Sequence, residues 1–260
     1  MTDMADQSPF QHARTPGQKP ETTRKRRIPR RVKLIAYLVT ASVTGAATIW
    51  AFDHYAPPQH NPMRPLSITH PVGAATYFKI MDLQGNETAC FAVLDEAGIQ
   101  YTRLEDSDPG ENCGLYGAAT LNRSMVPYSA TLQMTCPLTT ALAIWERQIA
   151  GPLSIEMLGS PVTRIETYGS FSCRRMYGRT SGRWSEHASA NAVDIMGFRL
   201  ADGRLITLEK HWGTPTPEGE FLAEVRDQSC RIFSIVLGPD YNAAHKDHFH
   251  FDLGGGDVCS

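Results

Sequence analysis

The 260-residue sequence predicts an α+β fold preceded by one transmembrane helix. Three observations support this prediction. An uncharged apolar run lies near the N-terminus, apolar residues recur at helical spacing in later segments, and alternating apolar residues bounded by turn signals follow in the second half. Helices interspersed with hairpin strands are typical of a small, mostly antiparallel sheet with flanking helices, and we expect an N-terminal lobe beside it.

The N-terminal region predicts a membrane anchor. Residues 34–52 contain no charged side chain, and a helix needs about 20 residues to cross a bilayer core. Seven basic residues lie between positions 24 and 33, and such a flank stays in the cytoplasm. We therefore predict a disordered, basic cytoplasmic tail at 1–33, a signal anchor in the inner membrane at 34–52, and a C-terminal body in the periplasm. A cleaved signal peptide and a buried core helix are the alternatives.

The formal net charge of −2 is the sum of two unlike parts. Through Phe52 the chain has nine Lys and Arg residues against three acidic residues, a net +6, which leaves −8 for the remainder. An acidic body repels phosphate, so we expect no nucleic-acid partner. The overall composition, 42% hydrophobic and 20% charged, is that of a globular protein.

Prolines mark the start of the body. Four of them between Pro57 and Pro65 predict a stiff, extended linker over residues 53–70. The following residues are sufficient for one substantial core or two small lobes. We predict an N-terminal lobe at 71–168 and a core that contains the functional site at 169–260.

All six cysteines lie after the predicted anchor. An even number on the exported side predicts three disulfides in an oxidising compartment. Spacing alone leaves about 15 pairings open, and our working assignment is Cys90–Cys113, Cys136–Cys173 and Cys230–Cys259. None of the cysteines forms a CxxC pair, so we expect neither a cysteine zinc site nor a thioredoxin-type redox motif.

Three helices and a sheet follow from local patterns. Helices are predicted at 86–97, ended by Gly98, at 137–150, ended by Gly151, and from Pro217 to Gly238. The third helix has candidate core positions at Phe221, Leu222, Val225, Phe233 and Val236. Strands are predicted at 154–158 and 164–168, as a hairpin of 193–200 with 205–209 around an Asp-Gly turn, and finally at 248–253.

Two histidine motifs predict a metal site. His245, His248 and His250 fall within six residues, and on a strand His248 and His250 point the same way. Upstream, His187 and Asp194 lie seven residues apart, so a loop histidine and a strand aspartate can turn back to one point. Two histidines and an aspartate make a three-ligand zinc site with a fourth position open for water.

These motifs resemble known families. Ser185-x-His187, Ala192-x-Asp194 and His248-x-His250 together resemble the zinc peptidase group of D-Ala-D-Ala carboxypeptidases, lysostaphin-type endopeptidases and penicillin-insensitive murein endopeptidases. From about 89 to 259 the chain more closely resembles the bacterial extensin-like C-terminal domain family. The matching stretches are Ser172-Cys173-Arg174, Ser185-Glu186-His187-Ala188, Asn191-Ala192-Val193-Asp194-Ile195, Gly197-Phe198, Leu237-Gly238-Pro239-Asp240 and Asp247-His248-Phe249-His250-Phe251-Asp252-Leu253.

The resemblance implies that His187, Asp194 and His250 bind Zn²⁺, which acidifies a bound water and polarises the scissile carbonyl. We expect His248 to act as general base or to stabilise the tetrahedral intermediate, with Asp247 as the competing base.

Three further residues have expected roles near this site. Arg174 is suited to hold the developing oxyanion or a substrate carboxylate. His245 is expected to contact the substrate or support a ligand. Ser185 either forms a hydrogen bond near the metal or caps a turn.

The expected function is that of a zinc metallopeptidase that cleaves peptidoglycan stem-peptide cross-links in the periplasm. Two alternatives stay open: a non-catalytic protein that binds the cell wall or acts as an envelope scaffold, and a D-Ala-D-Ala carboxypeptidase.

Overall fold

A computed structural model describes residues 27–110 and 113–260. The chain divides into two compact units, and the boundary between them along the sequence falls between Ile49 and Trp50. Helix α1, Arg30–Tyr55, extends beyond the predicted span of 34–52 at both ends. Within the described residues it is the one helix that is long and apolar enough to cross a membrane. Most of the predicted tail, residues 1–26, lies outside the described part.

The first half of the larger unit is rich in short elements. A 3-10 turn at Pro58–His60 precedes α2, Thr76–Asp82, and α3, Glu87–Glu96. Five strands follow: β1, Gln100–Arg103; β2, Ser107–Gly110; β3, Cys113–Leu115; β4, Ala118–Arg123; and β5, Leu132–Thr135. A long helical stretch consists of α4, Cys136–Trp145, a π-helical turn, Glu146–Ala150, and α5, Gly151–Leu158.

The second half supplies the main sheet. Its elements are β6, Val162–Gly169; 3-10 turns at Met176–Gly178 and Glu186–Ser189; β7, Ala192–Leu200; β8, Leu205–Thr207; α6, Leu208–His211; α7, Pro217–Ser229; β9, Ile235–Leu237; a 3-10 turn at Ala243–His245; β10, Phe249–Asp252; and β11, Val258–Cys259.

The sheets are small and mostly antiparallel, which confirms the predicted α+β class. The main sheet has the order β11-β9-β10-β7-β6, with β8 paired to β7, and β11 is parallel to β9 while the other pairs are antiparallel. Strands β1, β4 and β5 form a second sheet, and β2 pairs with β3.

One hydrophobic core runs through residues assigned to both predicted lobes, so the expected boundary at 168/169 has no structural counterpart. Trp145 is fully buried and its ring contacts Phe198 and Phe251. The predicted linker at 53–70 also differs from the structure, because Leu66 and Ile68 are buried in this same core.

The second predicted helix does not stop at Gly151. The chain continues through the π turn, in which the N–H of Gly151 bonds to the carbonyl of Glu146, and Pro152 then lies in the first turn of α5. The wider turn accommodates the proline, which has no N–H to donate. The predicted strand at 154–158 is therefore wrong, because these residues are helical and the helix ends at Gly159 in the left-handed conformation.

Other boundaries also shift. Helix α7 ends at Ser229, so the predicted extension to Gly238 is wrong, although all five predicted core positions are buried. Strand β9 follows it and pairs with β10, and two of its three residues, Ile235 and Val236, are β-branched. The hairpin of β7 and β8 is confirmed. The final strand begins at Phe249, and His248 lies just before it.

The disulfide pairing corrects the working assignment at two of three bonds. The structure joins Cys90 to Cys136, Cys113 to Cys173, and Cys230 to Cys259. Only the last pair was predicted. Pairing cysteines that are neighbours in sequence failed because Cys90 lies on α3, which packs against α4, where Cys136 is the first residue.

Candidate metal centre

Strand register places two of the predicted ligands side by side. Asp194 of β7 lies directly opposite His250 of β10 in the antiparallel ladder. Directly opposite residues on neighbouring strands project from the same face of a sheet. The alternation that predicted the final strand thus brings these two side chains together, although they lie 56 residues apart in the chain.

The third ligand reaches them through a tight turn. His187 lies in the 3-10 turn before β7, where the Ser185 hydroxyl accepts a hydrogen bond from the His187 N–H. The turn ends at Ala190, a buried residue with φ 55°, in the left-handed region that non-glycine residues rarely adopt. This reversal of the chain brings Nε2 of the His187 ring next to the Asp194 carboxylate. The observed role of Ser185 is therefore to cap the turn.

Three ligand atoms converge in a buried triangle. The Nε2 atom of His187 lies 3.1 Å from Oδ1 of Asp194, Nδ1 of His250 lies 3.0 Å from the same oxygen, and the two nitrogens are 3.2 Å apart. All three side chains are buried. These residues form the one group of this kind found among the described residues that could hold a metal ion.

The outer nitrogen of each histidine faces a hydrogen-bond acceptor. Nδ1 of His187 lies 2.5 Å from the carbonyl oxygen of Ser170, and Nε2 of His250 lies 2.9 Å from Oδ2 of Asp252. Because each outer nitrogen must donate its proton there, the lone pairs of both rings point at Asp194. Three such atoms at close contact need a positive charge between them, either a proton or a metal ion.

The electrostatics of the cluster show the same requirement. Burial alone would raise the pKa of Asp194, but hydrogen bonds and charge from His187 and His250 outweigh it and lower that pKa. Burial would lower the pKa of His250, yet Asp194 and Asp252 raise it above its ordinary value. The cluster therefore stabilises a carboxylate and a cation together.

The donor set fits zinc. Two imidazole nitrogens and one carboxylate oxygen are ligands that zinc binds at about 2.0–2.2 Å, and a tetrahedral site of that size has edges of about 3.3–3.6 Å between ligand atoms. The observed edges of 3.0–3.2 Å are slightly shorter. The triangle would need to open by only a few tenths of an ångström.

His248 and Asp247 occupy different positions relative to the triangle. Nε2 of His248 lies 3.7 Å from Oδ1 of Asp194, whereas its Nδ1 lies 3.0 Å from Oδ1 of Asp247. The Tyr168 hydroxyl donates to the other oxygen of Asp247 at 3.2 Å, and the Tyr168 ring lies edge-on to His248. Thus His248 faces the centre and Asp247 stands behind it. His248 precedes the strand, so strand alternation does not explain this arrangement.

The remaining predicted residues line the same cleft, which has a volume of about 510 Å³. The Nδ1–H of His245 donates to Asn242 Oδ1, and the His245 ring packs against the rings of His248 and His250. Burial, followed by its histidine neighbours, lowers the pKa of His245 to about 4. Arg174 is exposed and lies on the cleft wall together with Ser185.

Sequence reasoning missed Tyr168 and Ser170. Both lie at the end of β6 or just after it, and they reach the site because β6 pairs with β7 beside Asp194. The sequence contains no local signal for this, since the contact depends on strand order. Asp252, by contrast, alternates with His250 along β10, a pattern that could have identified it as the partner of His250.

The fold and this cluster define an α+β protein with a site that could hold a metal ion through three side chains. Residues 88–260 match the family described as Extensin-like protein C-terminus, so the chain belongs to that family. No curated protein and no solved structure matches the chain.

Proposed function

We propose that this protein is a zinc metallopeptidase that hydrolyses the peptide cross-links of peptidoglycan. The observation that supports it most strongly is the buried triangle of His187, Asp194 and His250, whose inward lone pairs require a cation. An open cleft of peptide-binding size lies against one side of the triangle.

In this proposal the three residues of the triangle hold Zn²⁺. When bound, the ion supplies Lewis-acid chemistry, because it polarises a carbonyl group and acidifies water. Ser170 and Asp252 fix the tautomers of the two histidines and thereby keep the correct nitrogen directed at the metal.

We assign proton transfer to His248. Its Nδ1 faces Asp247, which orients the ring and leaves Nε2 free to accept a proton at the centre. The same nitrogen can then return the proton to the leaving amine. Asp247 is a positioning residue in this scheme, and Tyr168 holds it in place through a hydrogen bond.

Arg174 and His245 would contact the substrate. The Arg174 guanidinium lies on the cleft wall and is suited to a peptide carboxylate or to the developing oxyanion. His245 forms a buried wall of the cleft beside His248 and His250.

Location supports the choice of substrate. Three disulfides are typical of an oxidising compartment, and α1 has the length and composition of a membrane span. The basic flank at 24–33, which extends into the start of α1, favours an inner-membrane anchor with the N-terminus in the cytoplasm and the body in the periplasm. Peptidoglycan peptides are accessible on that side.

The proposal can be tested by incubating the full chain in detergent micelles with purified sacculi, with and without a chelator. We expect cross-linked dimers to be converted to monomers, and the chelator or His187→Ala to abolish this activity. His70→Ala, a histidine substitution outside the cleft, is the matched control and should retain it. Release of D-Ala alone would instead indicate a carboxypeptidase. If the chain binds zinc stoichiometrically but leaves the sacculi intact, it would instead be a wall-binding or scaffold protein.

A further inference from the structure

A second cavity lies beside the metal cleft. It has a volume of about 610 Å³, and Glu186 and Gly255 line both it and the metal cleft. The side chain of Glu186 packs so closely on Gly254 that an added Cβ at that glycine would lie 2.6 Å from the Glu186 carboxyl carbon. Glu186 and the backbone at 254–255 thus form a wall between two adjoining cavities.

The walls of this cavity are partly apolar and partly acidic. Leu83 and Leu253 contribute apolar surface, whereas Glu87 and Glu186 contribute carboxylates. Within the described residues no Lys, Arg or His forms an ion pair with either glutamate. The exposed Tyr116 ring also lines the cavity.

An anionic ligand does not fit here, although the N-terminus of α4 lines the cavity. The N–H of Cys136 already donates to the Gly117 carbonyl, Pro137 has no N–H, and the N–H of Leu138 donates to the Thr135 hydroxyl. Asp106 adds negative charge close by, because its carboxylate accepts from the Gly117 N–H. The carboxylates around the cavity therefore favour a cation over an anion.

We propose that this second cavity binds an alkylammonium group of the substrate, the side-chain amine of a diamino acid residue. The aliphatic part of such a side chain suits the leucine surfaces, and the ammonium group suits two carboxylates and an aromatic ring. The peptide then passes over the Glu186 wall into the metal cleft. This inference rests on the proposed function, because it assigns a part of that substrate to a place.

Binding can be measured apart from cleavage. We would titrate the full chain in detergent micelles, with chelator present, with a lysine-containing tripeptide blocked at both termini and with its ε-N-acetyl counterpart. The free amine should bind about fivefold more tightly or better, as expected for one partly solvated ion pair. Glu87→Gln should remove this preference. Glu220→Gln, an exposed glutamate in the first turn of α7, is the matched control and should keep it.

Equal affinity for the two peptides would overturn the inference, as would a lack of measurable binding at millimolar concentration. Displacement of the free-amine peptide by CaCl₂ alone, without an amine preference, would assign the cavity to a cation instead and would also overturn it.

Acetylation of the free amines of sacculi should raise KM with kcat unchanged. Cleavage without an amine preference would contradict only this inference, and an amine preference without cleavage would contradict only the proposed function.

Discussion

A single oxygen atom lies at the middle of the candidate metal centre. Oδ1 of Asp194 lies within 3.1 Å of one nitrogen of His187 and one of His250, and 3.7 Å from Nε2 of His248. The other nitrogens of His187 and His250 face the buried Ser170 carbonyl and the buried Asp252 carboxylate, whereas the other nitrogen of His248 faces the partly exposed Asp247 carboxylate. In the proposed function, this difference distinguishes the two histidines that would bind the metal from the one that would transfer a proton.

The separation predicts different outcomes for substitutions at neighbouring residues. His248→Ala should lower kcat on sacculi by about 100-fold or more, because it removes the proton-transfer group. Asp247→Asn should lower kcat by about tenfold, because it only disturbs the orientation of His248. Zinc content, measured by atomic absorption, should stay at one ion per chain in both variants.

Tyr168→Phe provides the matched control, since it removes only the hydroxyl that holds Asp247. It should affect kcat less than Asp247→Asn and leave KM unchanged. A larger loss of kcat for Asp247→Asn than for His248→Ala would reverse our assignment and make Asp247 the base.

Glu146 is a buried acid away from the centre. Its carboxylate accepts hydrogen bonds from the Ser124 and Tyr128 hydroxyls and from the Met125 N–H. Burial raises the pKa of Glu146 from 4.5 to about 7, even though these donors stabilise the charged form. Because the folded state holds this proton more tightly than the unfolded state, the free energy of unfolding falls as pH rises from about 4.5 to 7 and then levels.

Glu146→Gln should therefore flatten the pH dependence of stability. A shift of this size corresponds to at most about 3 kcal/mol between pH 5 and pH 8, measured by urea unfolding followed by tryptophan fluorescence. Glu156→Gln, an exposed glutamate on α5, should keep the parental slope. An unchanged slope in Glu146→Gln would show that other groups set the dependence.

At the scale of elements, β7 depends on a close contact with β8. A Cβ added at Gly197 would lie 2.2 Å from the Ile206 carbonyl oxygen, a distance at which the strands must separate. Gly197→Ala should therefore cost about 2 kcal/mol or more of stability in urea unfolding. Gly255→Ala, where an added Cβ meets nothing within 4 Å, should be nearly neutral. Similar losses in both variants would contradict this explanation.

The disulfide between Cys113 and Cys173 joins β3 to the segment that bears Arg174, where the chain enters the cleft wall. Replacing both cysteines with alanine should cost about 4 kcal/mol by the loop-closure model, since the bond closes a loop of about 60 residues. It should also accelerate tryptic cleavage among the arginines of residues 174–183. Zinc content should not change, because Ser170 and Asp252 still orient the two histidines of the proposed metal site. An unaltered cleavage rate would show that the bond does not restrain this segment.

Local patterns predicted some parts of this architecture well. Alternation around His250 and the Asp-Gly turn after β7 were sufficient to place His250 and Asp194 on strands of one sheet. The left-handed Ala190 that turns His187 inward was not predictable, because alanine gives no signal for that conformation. Helix α5 was missed because Gly151 and Pro152 are typical helix breakers, and a π turn compensated for them. Disulfide partners depended on packing of distant elements.

At the scale of the whole molecule, the two parts of the charge distribution coincide with the proposed topology. Basic residues lie before α1 and at its start, and the acidic balance lies after it. The apolar side chains of α1 are exposed around the helix, including Leu38, Val39 and Val43. Such a surface is stable in lipid and unfavourable in water.

This arrangement predicts that the full chain stays in the membrane fraction after an alkaline wash, at its uncleaved size. Protease added to spheroplasts should digest the body, because the proposed orientation places it in the periplasm. Val39→Arg should release a substantial fraction of the chain from the membrane, since an arginine near the middle of a span costs about 2.5–3.5 kcal/mol of insertion. Met63→Arg, an exposed position after α1, should have no effect. A soluble product that begins after residue 52 would instead identify α1 as a cleaved signal sequence, and a protected body would reverse the orientation.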